Sequence, residues 1–237
     1  MPLANGIPSH DTIARVMSRL SPTGLQACFV TWVQAVAKET AGEVVAIDGK
    51  TVRRSFDRAG RKQAIHMVSA WAKTNGVVLG QVTTEEKSNE IKAIPRLLEV
   101  LALKGCIVTI DAMGCQTEIA KQIVEAGADY VLAVKGNQEE LYEDVQAVFM
   151  AAMETDFEGL DHDYHEVKSR GHGRRETRQY WLLNDLSGIT RPARWRKLTA
   201  LGLVRSQREV NGETSDEWRY YITSCKTSAQ AFGEAVR

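Results

Sequence analysis

The hydrophobic pattern of the chain changes near residue 43. Before that point, apolar residues recur at helical spacing and predict two helices between residues 9 and 40, with Ser21-Pro22 as the start signal of the second. After it, short apolar runs predict three β-strands, over residues 44–47, 64–72 and 77–82. Because Thr74-Asn75-Gly76 is typical of a hairpin turn, these strands are expected to be antiparallel.

Helices and strands alternate from residue 90 to residue 156. The predicted order is a helix containing Pro95, a strand over 107–110, a helix over 116–125, a strand over 130–134 and a helix ending near 153. The order βββ-α-β-α-β-α mixes antiparallel strands with parallel crossover units. It predicts an α/β, ribonuclease-H-like mixed sheet with flanking helices, in which the first strand and the strand after the first sheet helix are neighbours.

The pattern weakens beyond residue 156. Four further strands are predicted near residues 165–168, 179–183, 203–210 and 218–224. Residues 226–237 are typical of the start of a helix.

The composition is that of an ordinary globular protein, with 43% hydrophobic residues and no formal net charge. No apolar run is long enough to span a membrane, so no membrane partner and a cytoplasmic, nucleoid-associated location are expected. The four cysteines form no CxxC pair, which favours buried, reduced thiols over a zinc site.

The charges are separated along the chain. Glu139 to Glu166 contains ten acidic residues and no Lys or Arg, whereas Lys168 to Arg208 contains eleven basic residues and two acidic ones. A further basic block runs from Lys50 to Lys62. Such blocks either create a local positive field on a neutral protein or form solvated faces, and the sequence favours neither.

An aspartate follows each of two buried strands. Asp48 comes after residues 44–47, and Asp111 comes after residues 107–110. If these strands are neighbours, the two carboxylates meet at one sheet edge and can hold a divalent metal. The alternative is that the glycines after them mark ordinary turns.

Two further segments are suited to phosphate. Lys135-Gly-Asn-Gln places a lysine and amides at a helix start, and Gly171-His-Gly-Arg-Arg-Glu-Thr-Arg is a glycine-rich basic loop. The predicted DNA-binding residues, including the basic positions after Asp48, are Lys50, Arg53, Arg54, Lys135, Asn137, Gln138, Arg170, His172, Arg174, Arg175 and Arg178.

Six motifs together resemble the DDE transposases of bacterial insertion sequences, in the group that includes the H-repeat-associated proteins. They are Ile7-Pro-Ser-His-Asp-Thr-Ile, Val45-Ala-Ile-Asp-Gly-Lys-Thr, Glu86-Lys-Ser-Asn-Glu-Ile, Ile107-Val-Thr-Ile-Asp-Ala-Met-Gly-Cys-Gln, Ala128-Asp-Tyr-Val-Leu-Ala-Val-Lys-Gly-Asn-Gln and the basic loop. The resemblance implies metal-assisted cleavage and strand transfer of DNA at insertion-sequence ends. It makes Asp48 and Asp111 the first two catalytic and metal-binding residues of an Asp-Asp-Glu triad.

The resemblance also divides the chain. Residues 1–42 would be the remnant of a longer N-terminal domain, 43–156 the catalytic core, 157–225 a β-rich insertion and 226–237 the start of a truncated catalytic helix. The family's third carboxylate lies in a motif Arg-x-His-Trp-x-Ile-Glu-Asn, of which Arg237 matches the first residue. Truncation at both ends is therefore expected, with Mg²⁺ or Mn²⁺ bound weakly and catalysis incomplete. Glu234 is not assigned the missing role.

Two other functions remain open. One is a non-catalytic DNA-binding remnant that competes with an intact transposase, or assembles with it or with itself as a mixed oligomer or homo-oligomer. The other is an unrelated two-aspartate phosphohydrolase, which leaves the basic loop unexplained.

Overall fold

A single mixed β-sheet runs through the part of the chain that the computed structural model describes, namely residues 6–37, 42–51, 66–84, 90–171, 173–210 and 212–237. Within these residues the sheet has nine strands. The strands are β1 Val44–Thr51, β2 His66–Ala72, β3 Val77–Thr84, β4 Ile107–Ile110, β5 Asp129–Val134, β6 His162–Gly171, β7 Arg174–Leu183, β8 Ala200–Val210 and β9 Glu213–Thr223. The helices are α1 His10–Met17, α2 Pro22–Ala37, α3 Glu90–Val100, α4 Thr117–Glu125, α5 Glu139–Glu154 and α6 Ala229–Ala235.

The strands follow one another across the sheet in the order β3-β2-β1-β4-β5-β9-β8-β7-β6. The pairs β1/β4 and β4/β5 are parallel, while β1/β2, β2/β3 and every pair from β5/β9 to β6/β7 are antiparallel. The predicted element order is confirmed, and so is the prediction that the first strand lies beside the strand that follows the first sheet helix.

Strand alternation gives the sheet two different faces. One face, which we call the α5 face, packs Ile47, Ile110 and Leu132 against α3, α4 and α5. The other, which we call the α6 face, carries Val131, Tyr180, Tyr221 and Val204 beneath α6. Because cross-strand neighbours share a face, the registers place Ala46 and Thr109 with Val131 on the α6 face.

The four C-terminal strands are longer than predicted. In β8 the first five residues are buried and the last three are exposed, and β9 is exposed along its first half. Apolar alternation is weak where neither side of a strand is covered, so the pattern identified the buried halves of β7 and β9. In β8 it missed the buried start of the strand and placed it three residues late, at Leu203.

The N-terminal helices pack little in the described part of the chain. Helix α1 contains no buried residue, and α2 contacts the core through Phe29. Cys28 on α2 is exposed, so the prediction of a buried thiol is wrong there, whereas Cys106 and Cys115 are buried. Across the described residues, every helix is too short or too polar to cross a membrane.

Candidate active site

The two predicted catalytic aspartates lie side by side on the sheet. Ile47 pairs with Ile110 across the parallel strands β1 and β4, so Asp48 and Asp111 lie at the same level of the sheet. Asp111 directly follows β4, whereas Asp48 lies within β1, which continues to Thr51, so the prediction that Asp48 follows the end of its strand is wrong. Both side chains are exposed, and both line one cavity of about 710 Å³. The structure therefore brings the two carboxylates to one wall of the same cavity.

The cavity lies on the α6 face. Its floor includes residues of β1, β4, β5 and β9, and the C-terminal end of α6 with Val236 and Arg237 closes one side. Lys135, which follows β5 and is exposed, lines it together with Arg219 of β9. These two cations stand beside a pair of anionic carboxylates, an arrangement suited to a phosphate group that also binds a metal.

A short turn fixes the Asp111 carboxylate. Its Oδ1 accepts a hydrogen bond from the Met113 N–H at 3.2 Å and caps the 3₁₀ turn Ala112–Gly114. A Cβ at Gly114 would lie 2.3 Å from Ile110 Cγ2, so the chain requires glycine there for close packing. The alternative interpretation of this segment is a turn that requires glycine. The turn does require glycine, and this does not exclude a metal site at Asp111.

The predicted amides support this turn. Asn137 donates from Nδ2 to the Ala112 carbonyl at 2.6 Å, and Gln138 donates from Nε2 to the Cys115 carbonyl at 3.0 Å. These hydrogen bonds tie the segment after β5 to the segment after β4. The predicted role of Asn137 and Gln138 in phosphate binding stays a prediction, because the observed donors point to backbone carbonyls.

Arg219 and Glu217 were not anticipated from the sequence. Glu217 accepts hydrogen bonds from Arg219 Nε at 2.8 Å and Nη2 at 2.9 Å. The hydrogen bond from Arg219 lowers the pKa of Glu217, and the positive charge of Lys135 adds to the effect. The alternation of β9 could have placed residues 217, 219 and 221 on one face, but which face depends on the pairing of β9 with β5, about 90 residues away.

The aspartate pair fits a hard divalent cation in ligand type. Carboxylate oxygens are the preferred ligands of Mg²⁺ and Mn²⁺, and both aspartates face an open cavity. Among the described residues, no three His, Cys, Asp or Glu side chains lie close enough together to hold a metal. Two carboxylates alone would bind a divalent cation weakly.

The other predicted DNA-binding residues divide between the faces. Lys50 is exposed on β1, two residues after Asp48 and therefore on the α6 face. Arg174 and Arg178 precede Tyr180 on β7 by six and two residues and therefore share its α6 face, whereas Arg170 and Arg175 are cross-strand neighbours on the α5 face. The remaining three predicted residues, Arg53, Arg54 and His172, lie outside the described part of the chain.

Helix α6 is held at both ends. At its start, the Ala229 N–H donates to Asp163 Oδ2 at 2.7 Å and Ser228 caps the Ala231 N–H at 3.2 Å. At its end, the Lys73 ammonium donates to the Glu234 carbonyl. A cation is favourable at a helix C-terminus, so this contact stabilises the end of α6 over the cavity.

Comparison with known proteins agrees with this geometry. The family model for the transposase DDE domain matches residues 39–237, and a DDE_Tnp_1-associated model matches residues 1–33. "Putative transposase YncI" of Escherichia coli O157:H7 is 45% identical over 98% of this chain and 60% of that protein. "H repeat-associated putative transposase YhhI" of Escherichia coli K12 is 40% identical over 98% of this chain and 62% of that protein.

A third relative, "Uncharacterized protein in dhlA 3'region" of Xanthobacter autotrophicus, is 43% identical over 94% of this chain and 75% of that protein. The chain thus spans about 60% of the length of several curated relatives that it matches. The transposase DDE domain model matches most of the chain, and two relatives are more than 40% identical to it, which together establish the family. The chain belongs to the DDE transposase family.

Proposed function

We propose that this chain contains the DNA-processing core of a transposase, with a ribonuclease-H-like fold and its chemistry at the Asp48–Asp111 cavity. The observation that carries the proposal is that the two aspartates lie side by side at neighbouring parallel strands and line one cavity. Family membership supports DNA as the substrate class, and within this proposal the substrate is the phosphodiester backbone at insertion-sequence ends.

The residues of the chain have separate tasks in this proposal. Asp48 and Asp111 would hold Mg²⁺ or Mn²⁺, which would supply activation of the attacking oxygen and stabilisation of the leaving oxygen. The Lys135 ammonium binds an oxygen of the phosphate at the cleavage point and positions that phosphate in the cavity beside the aspartates. Asn137 and Gln138 keep the Asp111 turn in place through their hydrogen bonds to Ala112 and Cys115.

We further propose that the 237-residue chain neither nicks nor joins DNA by itself. Two carboxylates complete only part of the ligand set that a metal-dependent phosphoryl transfer uses. The resemblance places the third carboxylate after Arg237, and Val236 and Arg237 already line the cavity. A segment joined after Arg237 would therefore begin beside the two aspartates.

A cleavage and strand-transfer assay tests both parts. The chain alone is compared with a chain extended by the C-terminal segment of a relative such as YncI, on DNA carrying the terminal repeats, with Mg²⁺ or Mn²⁺. The extended chain should cut DNA and lose this activity on Asp48→Asn or Asp111→Asn. Asp185→Asn, in the loop after β7, is the matched control and should leave activity unchanged.

Two results would contradict these proposals. Metal-dependent cleavage by the unextended chain that disappears in Asp111→Asn would show that the chain is catalytically complete. Cleavage by the extended chain that survives both aspartate substitutions would place the chemistry elsewhere.

A second candidate function is a non-catalytic DNA-binding protein that competes with an intact transposase or assembles with it. The observation that favours it is that the described residues hold no three-ligand metal group, although basic residues surround the cavity. Mixing this chain with an intact relative tests it: reduced transposition that depends on the added chain supports the idea, and unchanged transposition at tenfold excess contradicts it.

A further inference from the structure

Three arginines surround one buried carboxylate on β7 and β8. Glu176 is 6% exposed, and its Oε1 accepts hydrogen bonds from Arg178 Nε at 3.2 Å, Arg178 Nη2 at 3.0 Å and Arg208 Nη2 at 3.2 Å. Arg174 Nη2 lies 3.9 Å from Oε2. One negative charge therefore faces three positive ones, and the cluster carries a surplus of two positive charges.

Glu176 orients the guanidinium groups without neutralising them all. Burial raises its pKa, but hydrogen bonds and charges from Arg208 and Arg178 outweigh burial, so the pKa is lowered overall and the group is ionised at neutral pH. The side chains of Arg178 and Arg208 remain 27% and 45% exposed. Because each guanidinium has five N–H donors, both keep donors for an anion that approaches from solvent.

The surplus charge lies on one face of the sheet. Glu176 and Arg208 are cross-strand neighbours, and Arg178 precedes Tyr180 by two residues, so all three share the α6 face with Asp48. Arg219 on β9 shares it too, since it pairs with Val204.

On the α5 face, in contrast, the arginine of β7 and the arginine of β8 each lie beside an acidic residue. Arg205 donates to Asp216 at 2.7 Å and lies 5.0 Å above the Trp218 ring. Arg175 lies 3.9 Å from Glu209. Arginines of the same two strands thus differ in what they can bind, depending only on the face.

We propose that Arg178 and Arg208, held in place by Glu176, form a phosphate-binding subsite for the backbone of duplex DNA that reaches the cavity across the α6 face. This inference rests on the proposed function. The strand registers give its separation from the aspartates. Ser215 lies opposite Arg208, and Tyr221, six residues further along β9, lies at the level of Asp111. At about 3.4 Å per residue, the subsite is about 20 Å along the strands from the level of the aspartates, or about six nucleotides of one DNA strand.

The test measures DNA affinity of the full chain by fluorescence anisotropy across a series of salt concentrations. Arg178→Ala with Arg208→Ala is compared with the control pair Lys168→Ala with Arg205→Ala, which removes two cations from the opposite face, each of them paired with a carboxylate. The α6-face pair should weaken binding to a 30-base-pair duplex about tenfold and reduce the salt slope by about two, while the α5-face pair leaves both nearly unchanged.

A second pair of variants guards against misfolding. Arg178→Lys with Arg208→Lys keeps both charges and should retain the salt slope while losing part of the affinity, because lysine lacks the planar fork. A duplex shortened to fewer than six base pairs on each side of the cleavage point should bind wild type and the α6-face alanine pair equally.

The outcomes separate the two proposals. Equal losses in both alanine pairs, or a difference that persists on the short duplex, would overturn the subsite while leaving DNA binding in place. Failure of the wild-type chain to bind any duplex at 50 mM salt would overturn the subsite and the proposed function together.

Discussion

Replacing Gly202 with alanine should push helix α6 away from the sheet. A Cβ at Gly202 would lie 2.6 Å from Phe232 Cζ, 2.9 Å from its Cε2 and 3.2 Å from Tyr221 Cβ. The Phe232 ring is fully buried and meets the rings of Tyr180 and Tyr221 edge-on, at centroid distances of 6.4 Å and 5.4 Å. Since the ring has no space behind it, the added methyl must displace the helix.

The size of the effect follows from two opposing contributions. Overpacking of this kind costs about 1–3 kcal/mol of folding free energy, and removing a strand glycine recovers about 0.5–1 kcal/mol. We therefore expect Gly202→Ala to lower the free energy of unfolding by about 1–2 kcal/mol. Phe232→Ala should cost about 3–5 kcal/mol, and in the double variant the methyl group enters the space that the ring leaves. The double variant should consequently lose about 1–3 kcal/mol less unfolding free energy than the sum of the two single variants.

Urea denaturation followed by circular dichroism measures all three free energies of unfolding. Gly171→Ala, at the end of β6, is the matched control because a Cβ there would meet nothing within 4 Å. It should change the free energy of unfolding by less than about 0.5 kcal/mol. If the costs of Gly202→Ala and Phe232→Ala add to within about 0.5 kcal/mol, the contact between this glycine and the ring is not what positions α6.

Three shorter predictions concern other parts of the fold. Glu43→Gln should destabilise the protein by about 1–3 kcal/mol in thermal unfolding, because buried Glu43 accepts hydrogen bonds from both the N–H and the Nδ2 of Asn75, and glutamine offers one acceptor oxygen. A hydrogen bond from Arg205 lowers the pKa of Asp216, so Asp216→Asn should cost about 0.5–1 kcal/mol at pH 7. The difference from wild type should shrink as the pH falls below the ordinary aspartate pKa of about 4 and vanish below the lowered pKa of Asp216. A pH-independent difference would contradict the ion pair. Burial raises the pKa of Cys115 to about 12, so the thiol should not be alkylated by iodoacetamide at pH 8 in the folded chain, as measured by mass spectrometry. The exposed cysteine of α2 should react under the same conditions. Equal labelling of the two cysteines would contradict the burial of Cys115.

The strands that place the aspartates could be predicted because each is apolar on both sides, of which one is buried and the other half-buried. The run Ile107–Ile110 has the predicted bounds, and its pairing with β1 follows from the helix between them. Local pattern and connection rules were enough to bring Asp48 and Asp111 to neighbouring strands.

The sequence could not show which residues complete the cavity or which arginines share its face. The segment Glu213–Glu217 is almost wholly polar, yet it is part of β9, where cross-strand hydrogen bonds and ion pairs such as Arg205–Asp216 take the place of apolar burial. Arg205 and Arg208 look equivalent in the basic block, but strand alternation sends them to opposite faces. The hydrogen bond from Asn137 to Ala112 also joins two turns whose contact depends on the completed sheet.

The pairing of β9 with β5 has a consequence for the order in which the protein is built. Val131 is paired with Thr223, so one edge of the parallel strands stays open until synthesis has reached residue 223, about 90 residues later. Contacts over such long sequence separations form slowly, and N-terminal parts of a chain start folding first. During synthesis we expect β1, β4 and β5 to assemble with an exposed edge that β9 later covers. The aspartates are therefore set in place early, and the cavity that surrounds them is finished last.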